Sequence, residues 1–312
     1  MTDLMIDAAD VSKAFGDVKA LDGVSLQVPK GTVTGLLGHN GAGKTTLVNL
    51  LTTVLPLDAG GATVAGHDVT TDGHEVRSRI GLTGQFASVD EQLTGLHNLV
   101  LIARLLGASR RQAADRASEL LELFDLAAAA DRKVDTYSGG MKRRLDLAAS
   151  LVGHPDVVFL DEPTTGLDPT SRLGLWEIVE KLVDDGTTVL LTTQYLEEAD
   201  RLADSITVLS NGQVVAAGTA AELKADIGQR TVAITLAEAA AAPEALAALR
   251  RAGFSPIHDE GRRAMTIPVD AANALAAVVR ALDDANAEVA ELALHEPTLD
   301  DVYLTLTHQA AA

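Results

Sequence analysis

The spacing of hydrophobic and polar residues predicts an α/β protein with strands of two kinds. In residues 4–11 and 24–28, apolar and polar side chains alternate, which is typical of antiparallel strands. Buried strands are predicted where apolar residues run almost without interruption. These runs are residues 33–37, 156–162 and 187–193, and shorter strands are expected at 62–64 and 80–83.

Between Gln92 and about Leu126 the hydrophobic period becomes that of helices. Two helices are predicted there, and the second spans roughly residues 110–125. The apolar residues of their faces are Leu93, Leu96, Leu99, Leu101, Ile102 and Leu105 in the first, and Ala114, Ala117, Leu120, Leu121 and Phe124 in the second. The segment indicates an all-helical insert, so a helical subdomain is expected at about residues 91–150.

Near Arg230 the pattern changes again. Strand and helix segments follow in the order β-α-β-β-α-β, which suggests a small α+β domain of the ferredoxin-like type. The segments are 231–236, 242–251, 254–258, 264–268, 271–282 and 288–294, with a final helix at about 298–306. We therefore expect a first domain over residues 1–220 and an accessory domain over residues 229–312 that carries no catalytic cluster.

Composition narrows the possible functions. The 312 residues include no cysteine, which excludes disulfides, thiolate metal sites and cysteine nucleophiles. A formal net charge of −19 argues against a nucleic-acid groove and against docking on anionic lipid. The most apolar window, residues 99–106, is too short to span a bilayer and contains Arg104. We expect a soluble chain without a signal peptide, so that any membrane role goes through a partner.

A glycine-rich loop lies between a predicted strand and a predicted helix. It fits the phosphate-loop pattern, in which glycines let backbone N–H groups turn toward an anion. The loop residues are Gly38, His39, Asn40, Gly41, Ala42, Gly43, Lys44, Thr45 and Thr46. We expect Lys44 to reach the β- and γ-phosphates of a nucleotide, and the Thr45 hydroxyl to hold Mg²⁺. The strand–loop–helix context and the Lys-Thr pair make an ordinary glycine turn the weaker interpretation.

Polar residues also follow other predicted strands. Asp161 ends a buried strand, where it suits the shell of a Mg²⁺ ion, and Glu162 can polarise a water. Gln85 can orient a ligand or a water near the metal, although a surface-loop glutamine is the simpler interpretation. Gln194 comes directly after the strand that ends at Thr193.

Three further features allow a functional and a structural interpretation. Phe15 can stack on a base or cover the core at a strand end, and the sequence favours neither. Ser138 is a good helix N-cap, and Gly139 and Gly140 expose N–H groups there, so this is a second anion-binding helix end. The basic run at residues 142–144 is interpreted as a solvated helix face.

Together, these motifs resemble the ATP-binding subunit of ABC transporters over roughly residues 4–220. The segment from Tyr137 to Met141 matches the family signature LSGGQ, with Tyr137 for Leu and Met141 for Gln. The resemblance implies a P-loop ATPase core with a parallel sheet, an antiparallel β subdomain and a helical subdomain. It also implies that two copies sandwich two ATP molecules, each held by one copy's phosphate loop and by Ser138 and Gly140 of the other. Phe15 would stack on adenine.

The resemblance assigns further roles beside the terminal phosphate. Glu162 would be the general base for the attacking water, with Lys44 in the same catalytic set. Gln85 would link the Mg²⁺ site to the transmembrane partner, and Asp168 would lie at the dimer interface. Gln194 stands where the family usually has a histidine that contacts the γ-phosphate, and glutamine can donate a hydrogen bond but cannot become a cation. Because Glu162 is present, we expect hydrolysis to persist.

Four stretches are similar to the daunorubicin-resistance type of bacterial exporter ATPase, at residues 38–41, 82–86, 191–200 and 296–304. That subfamily has a C-terminal accessory domain. The resemblance implies a subunit that couples hydrolysis of Mg²⁺-bound ATP to efflux of drug-like compounds. A separate integral membrane permease would hold it at the cytoplasmic face of the cell membrane.

Two alternatives belong to other functional classes. A soluble ABC ATPase of DNA repair or translation would carry long coiled-coil inserts, or two cassettes with basic arms, and this sequence has neither. A nucleotide-binding regulator that does not hydrolyse is disfavoured by Glu162.

Overall fold

The chain divides into two units, Met1–Ala220 and Ala221–Ala312. The computed structural model describes residues 3–84, 89–227, 230–238, 241–259, 264–269, 274–295, 298–300 and 302–303. The first unit contains, in chain order, β1 (Leu4–Phe15), β2 (Val18–Pro29), β3 (Val33–Leu37), α1 (Lys44–Leu51), β4 (Ala59–Val64), β5 (His67–Asp68), α2 (Gly73–Arg79), β6 (Ile80–Thr83), α3 (Gly95–Leu105), α4 (Arg110–Leu123), α5 (Gly139–Ser150), β7 (Val157–Asp161), α6 (Pro169–Asp184), β8 (Thr188–Thr193), α7 (Leu196–Leu202), β9 (Ser205–Ser210) and β10 (Gln213–Gly218). From the boundary onward follow α8 (Ala220–Ile227), β11 (Arg230–Leu236), α9 (Ala242–Arg251), β12 (Ile257–Asp259), β13 (Ala264–Val269), α10 (Ala274–Asp284) and β14 (Val289–His295).

A six-stranded sheet forms the centre of the first unit, in the order β10-β9-β3-β8-β7-β6. Every neighbouring pair from β9 to β6 is parallel, whereas β10 pairs with β9 as an antiparallel hairpin. Successive side chains of a strand point to opposite faces, so a strand buried on both faces is apolar throughout. In β7, Val157 and Phe159 face one hydrophobic cluster, and Val158 and Leu160 face the other. The buried strands predicted from apolar runs are confirmed.

A separate four-stranded antiparallel sheet has the order β2-β1-β4-β5. The predicted alternating strands are confirmed, but both are longer than expected. Phe15 still pairs with Val18 at the tip of the hairpin, where Gly16 takes a positive φ of 59°. The turn residues between them, rather than the end of the apolar alternation, set the length of this hairpin.

Helices α3, α4 and α5 form the predicted helical insert. Ser109 begins α4 through a capping box with Gln112, which satisfies two orphan N–H groups. The prediction that Ala114 faces the core is wrong, because Ala113 does so, in register with Ala117 and Leu120. Two residues of the predicted α3 face, Leu101 and Leu105, are 47% and 78% exposed. They are one turn apart and lie on the outer side of the helix.

The second unit is a β-α-β-β-α-β fold, with its strands in the order β12-β13-β11-β14 and all pairs antiparallel. This is the ferredoxin-like arrangement that the sequence predicts. Alternate residues of β11, namely Val232, Ile234 and Leu236, are buried in its core with residues of α9 and α10. The predicted helix at 298–306 lies largely outside the described residues.

Within the part of the chain that the structure describes, every helix is too short or too polar to cross a membrane.

Candidate functional site

The carboxyl edge of the parallel sheet brings the predicted site residues together. Strand β3 leads into the glycine-rich loop and α1, its neighbour β8 ends at Thr193, and the next strand, β7, ends at Asp161. In open α/β sheets, ligands bind in the crevice outside the carboxyl ends of the strands. The parallel order therefore explains why residues far apart in sequence meet here.

Two glycines of the loop are required by close backbone approach. A Cβ on Gly43, which has φ 109°, would lie 2.6 Å from the carbonyl oxygen of Ala20. A Cβ on Gly38 would lie 2.5 Å from the carbonyl oxygen of Leu209. Gly41 has φ 86° but faces open space. The loop thus wraps an open cavity of about 280 Å³, lined by Ala20, Asn40, Gly41, Gly43, Lys44, Thr45, Thr46 and Glu162.

Lys44 is buried at the floor of this cavity. Its ammonium donates to the carbonyl oxygens of Gly38 at 2.8 Å and His39 at 3.3 Å. The same Nζ lies 3.4 Å from Oε1 of Glu162. The cation and the candidate general base are therefore adjacent, on the side of the loop where an anion would lie.

Thr45 and Asp161 form a pair of hard oxygen ligands. The Thr45 hydroxyl is 3.1 Å from Oδ2 and 3.4 Å from Oδ1 of Asp161. The hydroxyl of Thr192 on β8 also donates to Asp161 Oδ1. A hydroxyl and one carboxylate beside a phosphate cradle fit the way Mg²⁺ is usually held, with phosphate oxygens and waters completing its shell.

Glu162 takes a left-handed backbone conformation, with φ 48°. Such a conformation costs a non-glycine residue about 1–3 kcal/mol and persists only where surrounding groups hold it. Its N–H donates to both the carbonyl and the hydroxyl of Thr192, at 3.1 Å each. The Thr165 hydroxyl lies 3.5 Å from Oε2. The sharp turn after β7 directs the carboxylate to the cavity, away from the direction taken by Asp161.

Ser138 is the N-cap of α5, as the sequence predicts. Close packing inside the chain explains why a glycine is needed at position 140. Ser138 caps α5 by accepting from the N–H of Met141 at 3.3 Å. Gly140 is buried, and a Cβ there would lie 2.4 Å from Oγ of Ser171. Gly139 is exposed, and its Cβ would meet nothing within 4 Å.

Asp168 is the N-cap of α6. It accepts from the N–H of Ser171 at 3.0 Å and from its hydroxyl at 2.6 Å. The hydrogen bonds from Ser171 lower the pKa of Asp168 below its ordinary value. A capping role therefore accompanies the interface role that the resemblance implies.

The remaining predicted site residues differ in their surroundings. The interpretation of Phe15 as a core-covering residue is wrong, because its ring is 49% exposed, with Lys13 Nζ 5.8 Å from its centroid. Gln194 is exposed just beyond β8. Gln85 lies outside the described residues.

The prediction of a solvated basic face at 142–144 is wrong. Arg143 keeps only 17% of its side chain exposed and donates to four backbone carbonyls around the site. Arg144 donates to the carbonyl of Phe124 at 3.1 Å, and Lys142 pairs with Glu91. The sequence offers no local signal for this, because every backbone carbonyl that Arg143 and Arg144 donate to is at least 18 residues away, and Glu91 is 51 residues from Lys142.

Glu198 is a second residue that sequence reasoning missed. It lies in the first turn of α7 and is fully buried. Its Oε1 accepts from Trp176 Nε1 at 3.0 Å. Burial raises the pKa of Glu198, while hydrogen bonds from Thr193 and Trp176 act in the opposite direction. The sequence shows only an acid in the first turn of a helix, where it complements the helix dipole, and the burial of Glu198 depends on the packing of α6 against α7.

The fold and loop geometry define an ATP-binding cassette of the ABC class. Residues 21–165 match the family described as ABC transporter, and residues 218–307 match the one described as ATP-binding protein DrrA1-3-like, C-terminal domain. A solved dimeric structure of the post-hydrolysis state of the ATP-binding cassette MJ0796, bound to ADP and Pi, superposes with a TM-score of 0.63 at 26% identity. That match covers 69% of this chain and 98% of the other.

Relatives extend this similarity over nearly the full chain. The daunorubicin resistance ATP-binding protein DrrA3 of Streptomyces coeruleorubidus is 54% identical over 98% of this chain and 97% of its own length. The daunorubicin/doxorubicin resistance ATP-binding protein DrrA of Streptomyces peucetius is 48% identical, over 98% and 93%. The chain therefore belongs to the ABC transporter ATP-binding proteins of the daunorubicin-resistance type, which bind nucleotide and hydrolyse ATP to power transport.

Proposed function

We propose that this chain is the motor subunit of a drug exporter and couples hydrolysis of Mg²⁺-bound ATP to efflux of drug-like compounds. The observation that carries the proposal is the cavity at the carboxyl edge of the sheet, where Lys44, Thr45 and Glu162 meet around a glycine cradle. The names of the relatives, which are daunorubicin and doxorubicin resistance proteins, support a drug as the cargo.

In this proposal the phosphate loop binds the triphosphate. Backbone N–H groups from Gly38 to Thr46 and the start of α1 face the phosphate oxygens, and Lys44 leaves the loop carbonyls to reach the β- and γ-phosphates. Thr45 and Asp161 would hold Mg²⁺, which would supply positive charge beside the phosphates. Phe15, exposed at the hairpin tip, stacks on adenine.

Glu162 acts as the general base. In the structure its carboxylate is paired with Lys44 at 3.4 Å. Movement of Lys44 onto phosphate frees the carboxylate to accept a hydrogen bond from the attacking water. Gln194, directly after β8, would donate a hydrogen bond to the terminal phosphate. Gln85, which follows β6 in the sequence, would orient the attacking water or a ligand of the metal. The amide of Gln194 supplies a neutral donor, so the hydrolysis step does not depend on a titrating histidine at this position.

The site is completed by a second copy of the chain. Ser138 caps α5, and Gly139 and Gly140 lie in its first turn, where N–H groups have no partner within the helix; the open space at Gly139 leaves room for an anion. Ser171 connects this helix end to Asp168, because its hydroxyl packs against Gly140 and donates to the Asp168 carboxylate. The MJ0796 cassette was solved as a dimer bound to ADP and Pi, which supports the pairing of two copies. We propose that the two copies pair head to tail.

Transport requires an integral membrane permease that this chain does not supply within its described helices. The proposed location is the cytoplasmic face of the cell membrane, with the permease as anchor. The closing and opening of the ATPase dimer would drive the permease. The C-terminal unit is proposed to stabilise this dimer.

Purification of the tagged full chain from membranes tests the proposal. An integral membrane protein is expected to co-purify, and daunorubicin is expected to raise phosphate release by the complex. The Glu162→Gln chain is the matched control, which keeps the shape and loses the base. Wild-type phosphate release no higher than that of Glu162→Gln would overturn the proposal.

A further inference from the structure

The guanidinium of Arg143 donates to four backbone carbonyls of the site. Nε donates to the oxygen of Pro163 at 2.7 Å, and Nη1 donates to that of Gly84 at 2.9 Å. Nη2 donates to the oxygens of Asp161 and Glu162, at 3.1 Å each. The planar fork of arginine is suited to several acceptors at fixed angles, which a lysine ammonium is not.

These four carbonyls belong to the segments that carry the chemistry. Asp161, Glu162 and Pro163 are consecutive residues where β7 ends, and Gly84 follows the end of β6. Arg143 therefore holds the ends of two neighbouring strands to α5. It is charge-balanced by Asp146, one turn later on the same helix, at 3.5 Å.

Both backbone polar groups of Glu162, its N–H and its carbonyl oxygen, are held by hydrogen bonds. Thr192 accepts from its N–H, and Arg143 donates to its carbonyl oxygen. A residue in a sparsely populated conformation keeps it only when its surroundings determine it. The direction of the Glu162 carboxylate into the cavity consequently depends on Arg143, although the guanidinium binds the backbone and not that carboxylate.

We propose that Arg143 is a positioning residue for hydrolysis, which aims Glu162 and joins it to the helix that begins at Ser138. The inference rests on the proposed function in one respect, the role of Glu162 as general base. Since α5 is a continuous helix from Gly139 to Ser150, the end proposed to meet the partner's nucleotide and the residue that holds Glu162 move together. One subunit's nucleotide would thus be sensed at the other subunit's base.

The neighbouring arginine provides a matched control. Arg144 is also half-buried on α5 and donates to a backbone carbonyl, that of Phe124 at 3.1 Å. Among the described residues its partners are Phe124 and Asp125, which follow α4 in the helical insert, and not residues of β6 or β7. Arg143→Lys and Arg144→Lys each keep the charge and remove the fork.

The test compares Mg²⁺-ATP turnover by the full chain in the wild type and both variants, with equilibrium ATP binding and thermal melting measured alongside. Arg143→Lys is expected to lower kcat by about 10- to 100-fold, the effect of a displaced catalytic group. KM and ATP affinity should change by less than about threefold, because uniform nucleotide binding is retained. Arg144→Lys should keep a kcat close to that of the wild type.

A second variant covers the case in which Arg143→Lys does not fold. In Arg143→Ala, added guanidinium ion at low millimolar concentration should restore part of the lost kcat, because it can donate to the same backbone carbonyls. Unchanged kcat in a folded Arg143 variant, or an equal loss in Arg144→Lys, would overturn the inference and leave the proposed function standing. Absence of wild-type turnover would count against the proposed function instead.

Discussion

The two adjacent glycines at the start of α5 are expected to respond oppositely to alanine. At Gly140 a Cβ would lie 2.4 Å from Oγ and 3.0 Å from Cβ of Ser171, whereas at Gly139 it would meet nothing within 4 Å. Overpacking of a close contact costs about 1–3 kcal/mol. The gain in helix propensity from glycine to alanine, up to about 1 kcal/mol, applies to both positions and cancels in the comparison. Gly140→Ala should therefore be less stable than Gly139→Ala by about 1–3 kcal/mol.

Urea unfolding followed by tryptophan fluorescence measures this difference, because Trp176 is the sole tryptophan and lies on α6, whose first turn contains Ser171. Adding Ser171→Ala removes the nearer atom of the clash. In the Ser171→Ala background, Gly140→Ala should therefore destabilise the protein much less than it does in the wild type. A double-mutant cycle measures this difference as a coupling energy between the two positions.

Equal stability of the two glycine variants, or full additivity with Ser171→Ala, would refute the packing explanation. Activity gives a further distinction. Because Gly139 faces open space in its own chain, a loss of ATP turnover in a stable Gly139→Ala variant would indicate that a ligand or a second subunit approaches there.

Two other predictions concern the residues after β8. Burial raises the pKa of Glu198 above its ordinary value of 4.5, so the native state binds this proton more tightly than the unfolded chain does. The free energy of unfolding should therefore fall as the pH rises from 4.5 through the pKa that Glu198 has in the folded state. Glu198→Gln should remove this loss, which amounts to about 1.4 kcal/mol for each unit by which the pKa is raised. Glu197→Gln, at an exposed position, should keep the pH dependence of the wild type. The same dependence of the unfolding free energy on pH from 4.5 to 7 in all three proteins would contradict this prediction. The wild-type chain, with Gln194, should release phosphate from Mg²⁺-ATP well above Glu162→Gln in a coupled assay, and equal rates would contradict the expectation that hydrolysis persists with glutamine at this position.

Much of the architecture could be predicted because its signals are local. The apolar runs of β3, β7 and β8 and the glycine loop predict both the parallel sheet and the edge where Thr45 and Asp161 meet. The β-α-β-β-α-β order of the tail likewise specifies its sheet. In each case the periodicity of one segment agrees with the fold as a whole.

The residues that sequence reasoning missed are defined by distant partners. In the sequence, Arg143 is one member of a basic run. Its carbonyl acceptors become visible only in the fold, where the ends of β6 and β7 lie beside α5. Glu198 looks like a dipole-complementing acid, and only the packing of Trp176 buries it. The error at Ala114 is of another kind, since helical periodicity gives the apolar face only to within one residue.

The central claim is that the nucleotide site is shared between two copies of the chain. Sedimentation of the Glu162→Gln chain with and without Mg²⁺-ATP tests it most directly, in combination with Ser138→Arg. The account predicts an ATP-dependent dimer for Glu162→Gln, and loss of that dimer with retained ATP binding when Ser138→Arg is added. A dimer that persists in the double variant, or ATP binding that disappears with Ser138→Arg, would contradict the shared site.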